Sequence, residues 1–281
     1  LRELLSKGMD GIVVSAEKAD EVSLEVNGID DVESFAGPKP SIYSGDASLY
    51  ALRVGVELLA AGRADFLYLS LTDYIQHKHA PEAPESREFY RAIDVEVGRL
   101  LELGAIVGIT ADHGMNAKCN GDGSPNVIYL ETELGREFGV GCRVICPITD
   151  PYVVHHGALG SAVTVYLRDN LDAQKIANWI ASLDGVTEVH NRESAVAKLE
   201  LPGDRIGDLF VLSDRDWVLG RTPEHHDLAK LEGTLRSHGG RYEEVVPFLI
   251  SEPLNAKYVG LAKGDPRNFD IFDFVCNGTQ P

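Results

Sequence analysis

Two continuous apolar runs, Phe66-Leu-Tyr-Leu-Ser-Leu71 and Ala105-Ile-Val-Gly-Ile-Thr110, flank a polar loop and a stretch from about Glu85 to Leu103 in which Phe89, Ile93, Val97, Leu100 and Leu101 recur at helical spacing. Apolar runs without alternation are the pattern of strands covered on both faces. Strand, helix, strand reads as a βαβ unit, whose strands pair in parallel through a right-handed crossover. The chain is therefore expected to adopt an α/β fold: a mostly parallel sheet flanked by helices, with its functional residues beyond the carboxyl ends of the strands.

Other segments extend that reading. Gly11-Ile-Val-Val-Ser15 reads as a further buried strand, and Asp46 to Ala60 as a helix opened by Asp46 or Ser48, with Leu49, Leu52, Val56 and Leu59 along one face. From about Asn116 glycine and proline become denser and the strand-like pieces shorter: Val127 to Leu130, Val140 to Ile145, Ala162 to Leu167 and Leu209 to Leu212. A helix near Asp172 to Leu183 precedes another strand, Val186 to His190. Glu244 to Ile250 reads as a return to the main sheet, with Pro247 at an edge or strand start. The expected organisation is a core over 1–115, an α+β cap over 116–224 and the C-terminal part of the core over 225–281.

Charge excludes some partners. With 26 Lys+Arg against 44 Asp+Glu, the 281 residues carry 26 − 44 = −18. No basic cluster is present to hold a phosphate backbone, so nucleic acid is not an expected partner, and an anionic membrane surface is disfavoured likewise. No apolar run has the length of a membrane span. Four irregularly spaced cysteines, Cys119, Cys142, Cys146 and Cys276, make no disulfide framework, and a reducing, cytoplasmic compartment is expected.

The candidate chemistry lies where the two apolar runs end. Leu71-Thr-Asp-Tyr-Ile-Gln-His77 places Asp73 and His77 four residues apart, on one face of a helical turn. Thr110-Ala-Asp-His-Gly-Met115 places Asp112 and His113 just after the next run. His238, in Arg236-Ser-His-Gly-Gly240, precedes the returning apolar segment, with glycines that permit tight turning. Singly, each is as well explained by a capping aspartate or a polar turn. Together they make a set of carboxylates and imidazoles suited to zinc or another borderline divalent metal. Two such ions ~4 Å apart would form a clamp for phosphoryl transfer.

The order Asp-x3-His, Asp-His-Gly and a late His-Gly resembles the alkaline phosphatase superfamily, specifically its nucleotide pyrophosphatase/phosphodiesterase-like branch. Longer stretches are similar to the phosphonoacetate hydrolases of that branch: Leu71 to His79, Thr110 to Asn116, His155 to Gly160 and Glu232 to Gly240. The resemblance extends over nearly all of the chain. It implies a two-zinc enzyme that cleaves the carbon–phosphorus bond of phosphonoacetate to acetate and phosphate. Asp73, His77 and His238 would hold one zinc, and Asp112 and His113 part of the other. The family's threonine nucleophile, one further aspartate and the lysines that bind the substrate carboxylate have no counterpart in this sequence. They are expected upstream of Leu1, in a chain that starts without Met, within a stretch that reads as a helix.

The resemblance also admits a phosphodiesterase or phosphomonoesterase on the same scaffold, or a metal-binding relative without a nucleophile, and a homodimer is among the assemblies it allows. Several residues carry less weight. His79 is expected to point away from His77, and His155 and His156 to serve packing. Asn116 and Lys118 are candidates for substrate contact, outweighed by a structural role. His225, His226 and Asp227 are expected to be solvated, and Cys142 and Cys146 to be small core residues.

Overall fold

The structure is a computed structural model, which describes residues 11–147, 159–231 and 233–279. It is a mixed α/β chain of two compact units. One comprises residues up to Thr110 together with those from Pro247 onward; the other is Ala111–Val246.

The first unit is built on two helices, Asp46–Ala60 and Pro84–Glu102. The second opens with proline at a position where a missing N–H costs nothing, carries Glu85 in its first turn and Arg99 in its last, and is followed by Gly104 at φ +85°. Arg99 donates to Glu57 on the first helix at 2.7 Å. Leu52, Val56, Phe89 and Leu100 are buried as the periodicity requires, whereas Leu101 is 42% exposed. Gly55 lets the chain at Leu69 approach the first helix: a Cβ there would stand 2.7 Å from the Leu69 methyl carbons.

Two expected strands are corrected. Gly11–Ser15 and Phe66–Leu71 enter no ladder among the described residues, and of 105–110 only Gly108–Thr110 is a strand. That strand pairs antiparallel with Phe248–Ile250, Gly108 facing Ile250, so the expected parallel pairing of the two apolar runs is absent there. The physical reason is that a strand is a property of a pair. An apolar run reports burial or extension, while the ladder depends on a partner that the run itself does not encode. Phe66 and Tyr68 are accordingly 59% and 66% exposed.

The second unit holds a four-stranded antiparallel sheet in the order Cys142–Ile145, Ala162–Leu167, Leu209–Ser213, Val186–Asn191. Helices Leu130–Phe138 and Ala173–Ile180 contribute Leu130, Leu134, Ile176 and Ile180 to a core with Val144, Val163, Val165 and Val211. Asp172 and Asn191 cap the helices that follow them, accepting from the amides of Lys175 and Ser194. Cys146 is buried in this core and Cys142 packs against it. Two short ladders lie beside the sheet: Val127–Tyr129 with Val218–Gly220, the single parallel pair among the described residues, and Asn116–Ala117 with Arg236–Ser237, antiparallel.

Candidate active site

Candidate ligands occur in both units, Asp73 and His77 in the first and Asp112, His113 and His238 in the second. In the first, the loop leading to Asp73 is pinned to helix Asp46–Ala60 by buried Ser48. Its hydroxyl accepts from the Thr72 amide at 2.9 Å and lies 3.2 Å from the Thr72 carbonyl. Asp73 then opens the short helix Tyr74–Lys78, and the His77 amide donates to the Asp73 carbonyl at 3.0 Å. This helical turn puts the Asp73 carboxylate 3.0 Å from His77 Nε2, with the histidine 8% exposed. Zinc bonds of ~2.0–2.2 Å at tetrahedral angles would hold two donors about 3.3–3.6 Å apart, so the pair, in direct contact here, would part by about half an ångström to share one ion. His79 turns toward Glu85, 3.8 Å away.

In the second unit, Asp112 is exposed and accepts from the His113 amide at 3.1 Å. His113 Nδ1 lies 2.9 Å from the Gly114 carbonyl. As donor to that oxygen, Nδ1 leaves Nε2 with a lone pair for a cation. His238 follows the strand Arg236–Ser237, which pairs with Asn116–Ala117, so the ladder brings the segment that trails His113 against the segment that leads into His238. The His238 carbonyl accepts from the Ser161 amide at 2.8 Å. Gly239 adopts φ +101°, and a Cβ on Gly240 would stand 2.8 Å from that of Ser161, so the turn after His238 requires both glycines. The result is a parallel stack of the His113 and His238 rings, centroids 3.6 Å apart.

The segments after the two histidines share a buried polar cluster. Lys118 and Glu243 are 0% and 2% exposed, with Lys118 Nζ 3.0 Å from Glu243 Oε1. Lys118 also donates to the Arg215 carbonyl at 2.7 Å. Burial pulls its ammonium below the ordinary lysine value, against the opposing influence of Glu243. Lys118 thus has a structural partner. Glu243 was not foreseen as a site residue; its one sequence signal is its place three residues after Gly240, the position from which a glutamate caps its own turn. Nor was Arg241, which donates to Glu188 at 2.8 Å.

His226 corrects an expectation. It is 4% exposed, and Nε2 accepts from the Arg221 amide at 3.0 Å, because the returning chain folds its ring inward. His225 and Asp227 are exposed. His155, His156 and Glu232 lie outside the described residues.

Residues 49–241 match the type I phosphodiesterase / nucleotide pyrophosphatase family. The chain belongs to that family. Among solved structures, this phosphodiesterase-family chain is 43% identical to the phosphonoacetate hydrolase of Sinorhizobium meliloti 1021. The alignment covers 99% of this chain and 68% of that one, with TM-scores of 0.88 for the phosphonoformate complex and 0.87 for the phosphonoacetate complex. Murine ectonucleotide pyrophosphatase / phosphodiesterase 5 is 16% identical, with a TM-score of 0.51 over 87% of this chain and 64% of that one, a likeness of fold. The α/β class expected from the sequence is thereby established, and the chain is a hydrolase of the phosphodiesterase family. No helix among the described residues is long and apolar enough to cross a membrane.

Proposed function

We propose that the protein hydrolyses the carbon–phosphorus bond of phosphonoacetate, using two zinc ions. The observation that carries this reading is the 43% identity, over 99% of the chain, to a hydrolase solved with phosphonoacetate bound. In this reading Asp73, His77 and His238 hold one zinc, and Asp112 and His113 contribute to the second. The donor chemistry supports the first group: one carboxylate and two imidazoles are a borderline metal's preferred set. The 3.0 Å spacing of Asp73 and His77 supports it as well.

When bound, the metals would polarise phosphoryl oxygens and offset the charge that develops on them. The chain's own residues do the placing. Ser48 fixes the loop that carries Asp73, the helical turn aligns His77 with it, and the Gly114 carbonyl orients His113 with Nε2 outward. Asp73 and Asp112 put part of the chain's negative excess where it meets cations. A cytoplasmic location fits the irregular cysteines.

The test is phosphate release from phosphonoacetate, measured beside an aryl phosphodiester and an aryl phosphomonoester, with zinc counted per chain. Release from phosphonoacetate in preference to both supports the reading. Preference for the diester, as the family name allows, would replace it with a phosphodiesterase, and zinc binding without turnover with a metal-binding relative.

A further inference from the structure

We propose that the buried Lys118–Glu243 pair is a positioning element that sets His238 against His113. The proposal deepens the zinc reading above and rests on it for its relevance to catalysis. Its geometry lies wholly within the unit Ala111–Val246.

Glu243 joins the segment that follows His113 to the segment that follows His238. Its Oε1 accepts from Lys118 Nζ at 3.0 Å and from Asn116 Nδ2 at 2.6 Å, both on the His113 side. Its Oε2 accepts from the Gly240 amide at 2.9 Å, two residues beyond His238. Its backbone carbonyl accepts from the Gly114 amide at 2.7 Å, one residue beyond His113. One residue therefore fixes both loops. The Asn116–Ala117 ladder with Arg236–Ser237 closes the other side of each turn.

The chemistry calls for a carboxylate. Donors converge on both oxygens, and a carboxylate is the one side chain of this shape that accepts at both ends. A glutamine would present its NH2 either to Gly240 N–H or to Lys118 and Asn116, a donor facing donors. Lys118 supplies the counter-charge that makes a buried carboxylate tolerable. Neither residue bears a metal-ligand role. Their effect is on where the two imidazoles stand, and outer-shell partners of this kind change metal affinity by about 10–100-fold.

The experiment compares wild type with Glu243→Gln by two readouts. Ring-proton NMR shifts of His113 and His238 are recorded in metal-free protein, where the stacked rings shield one another. Zinc affinity is measured by chelator competition. Glu243→Gln is expected to move the ring signals toward unstacked values and to weaken zinc binding about 10–100-fold. Leu134→Ala, in the core of the same unit, controls for lost stability: it is expected to lower the melting temperature and leave the ring signals in place. Should Glu243→Gln fail to fold, Asn116→Ala, which removes one donor to the same oxygen, is expected to shift the signals in the same direction by less. Unchanged ring signals in the variant that folds would overturn the proposal. A wild type that binds no zinc would instead overturn the metal reading, because the ring signals are read without metal.

Discussion

The imidazole rings of His113 and His238 lie parallel within 7°, their centroids 3.6 Å apart. Flat contact at this distance sets the two imidazoles side by side, with His113 Nδ1 turned to the Gly114 carbonyl and its Nε2 left with the lone pair. Such an arrangement suits two ligands serving adjacent ions about 4 Å apart better than two ligands crowding one. His238→Ala is therefore expected to lower bound zinc by one ion per chain, with His113 still able to serve the other. Metal analysis of the dialysed protein decides it, and unchanged stoichiometry would remove His238 from the site.

The parts legible from sequence share one physical trait: they are local. Asp-x3-His needs only a helical turn, and Asp73 and His77 meet within one. The helices Asp46–Ala60 and Pro84–Glu102, and the strands Ala162–Leu167 and Leu209–Ser213, follow from apolar spacing; the cap expected from Asp46 or Ser48 does not form, since Gly45 precedes the first helix and the Ser48 hydroxyl bonds Thr72 instead. What was not legible depends on distant partners. Phe66–Leu71 is apolar enough for a strand but finds no ladder among the described residues, and Gly108–Thr110 pairs antiparallel with a segment near the other end of the chain. The Lys118–Glu243 cluster was hidden for the same reason. Lys and Glu are among the residues least often buried, so composition pointed them outward. Only the fold brings the two charges together.

Acid should weaken the second unit through Glu188. Hydrogen bonds from Arg241, with a further one from His190, hold its carboxyl below a glutamate's ordinary 4.5. A group with a depressed folded value contributes stability that is fully present above the unfolded value and lost as pH falls through the folded one. The melting temperature of wild type should therefore drop more steeply below pH 4.5 than that of Glu188→Gln. Since about a third of each side chain is exposed, the pair's worth at neutral pH is small, about 0–1 kcal/mol. Parallel acid profiles of the two proteins would rule the contribution out.

Thiol chemistry should distinguish the cysteines. Burial pushes the Cys146 thiol up to about 11, so at pH 8 it is almost wholly protonated as well as shielded. Cys276 is exposed. Alkylation of the native protein at pH 8, followed by peptide mass spectrometry, is expected to label Cys276 first and Cys146 only after unfolding. Equal labelling rates would contradict the packing of Cys146 in the core beside Val144 and Leu219.

Gly185 marks the tight passage from helix Ala173–Ile180 into strand Val186–Asn191. Its φ of +86° is one that side chains rarely adopt, and a Cβ there would overlap the indole of Trp217. Its carbonyl also accepts from the Asp214 amide at 2.8 Å, which ties the turn to the end of the neighbouring strand. Two penalties coincide in Gly185→Ala: left-handed backbone strain and overpacking against a ring that the core holds on its other side. Each costs about 1–3 kcal/mol. Denaturant unfolding is expected to show a loss of about 2–6 kcal/mol, the simple sum of the two penalties. A loss below ~1 kcal/mol would mean that Trp217 yields at little cost, and that the strand's entry is set by the Asp214 hydrogen bond alone.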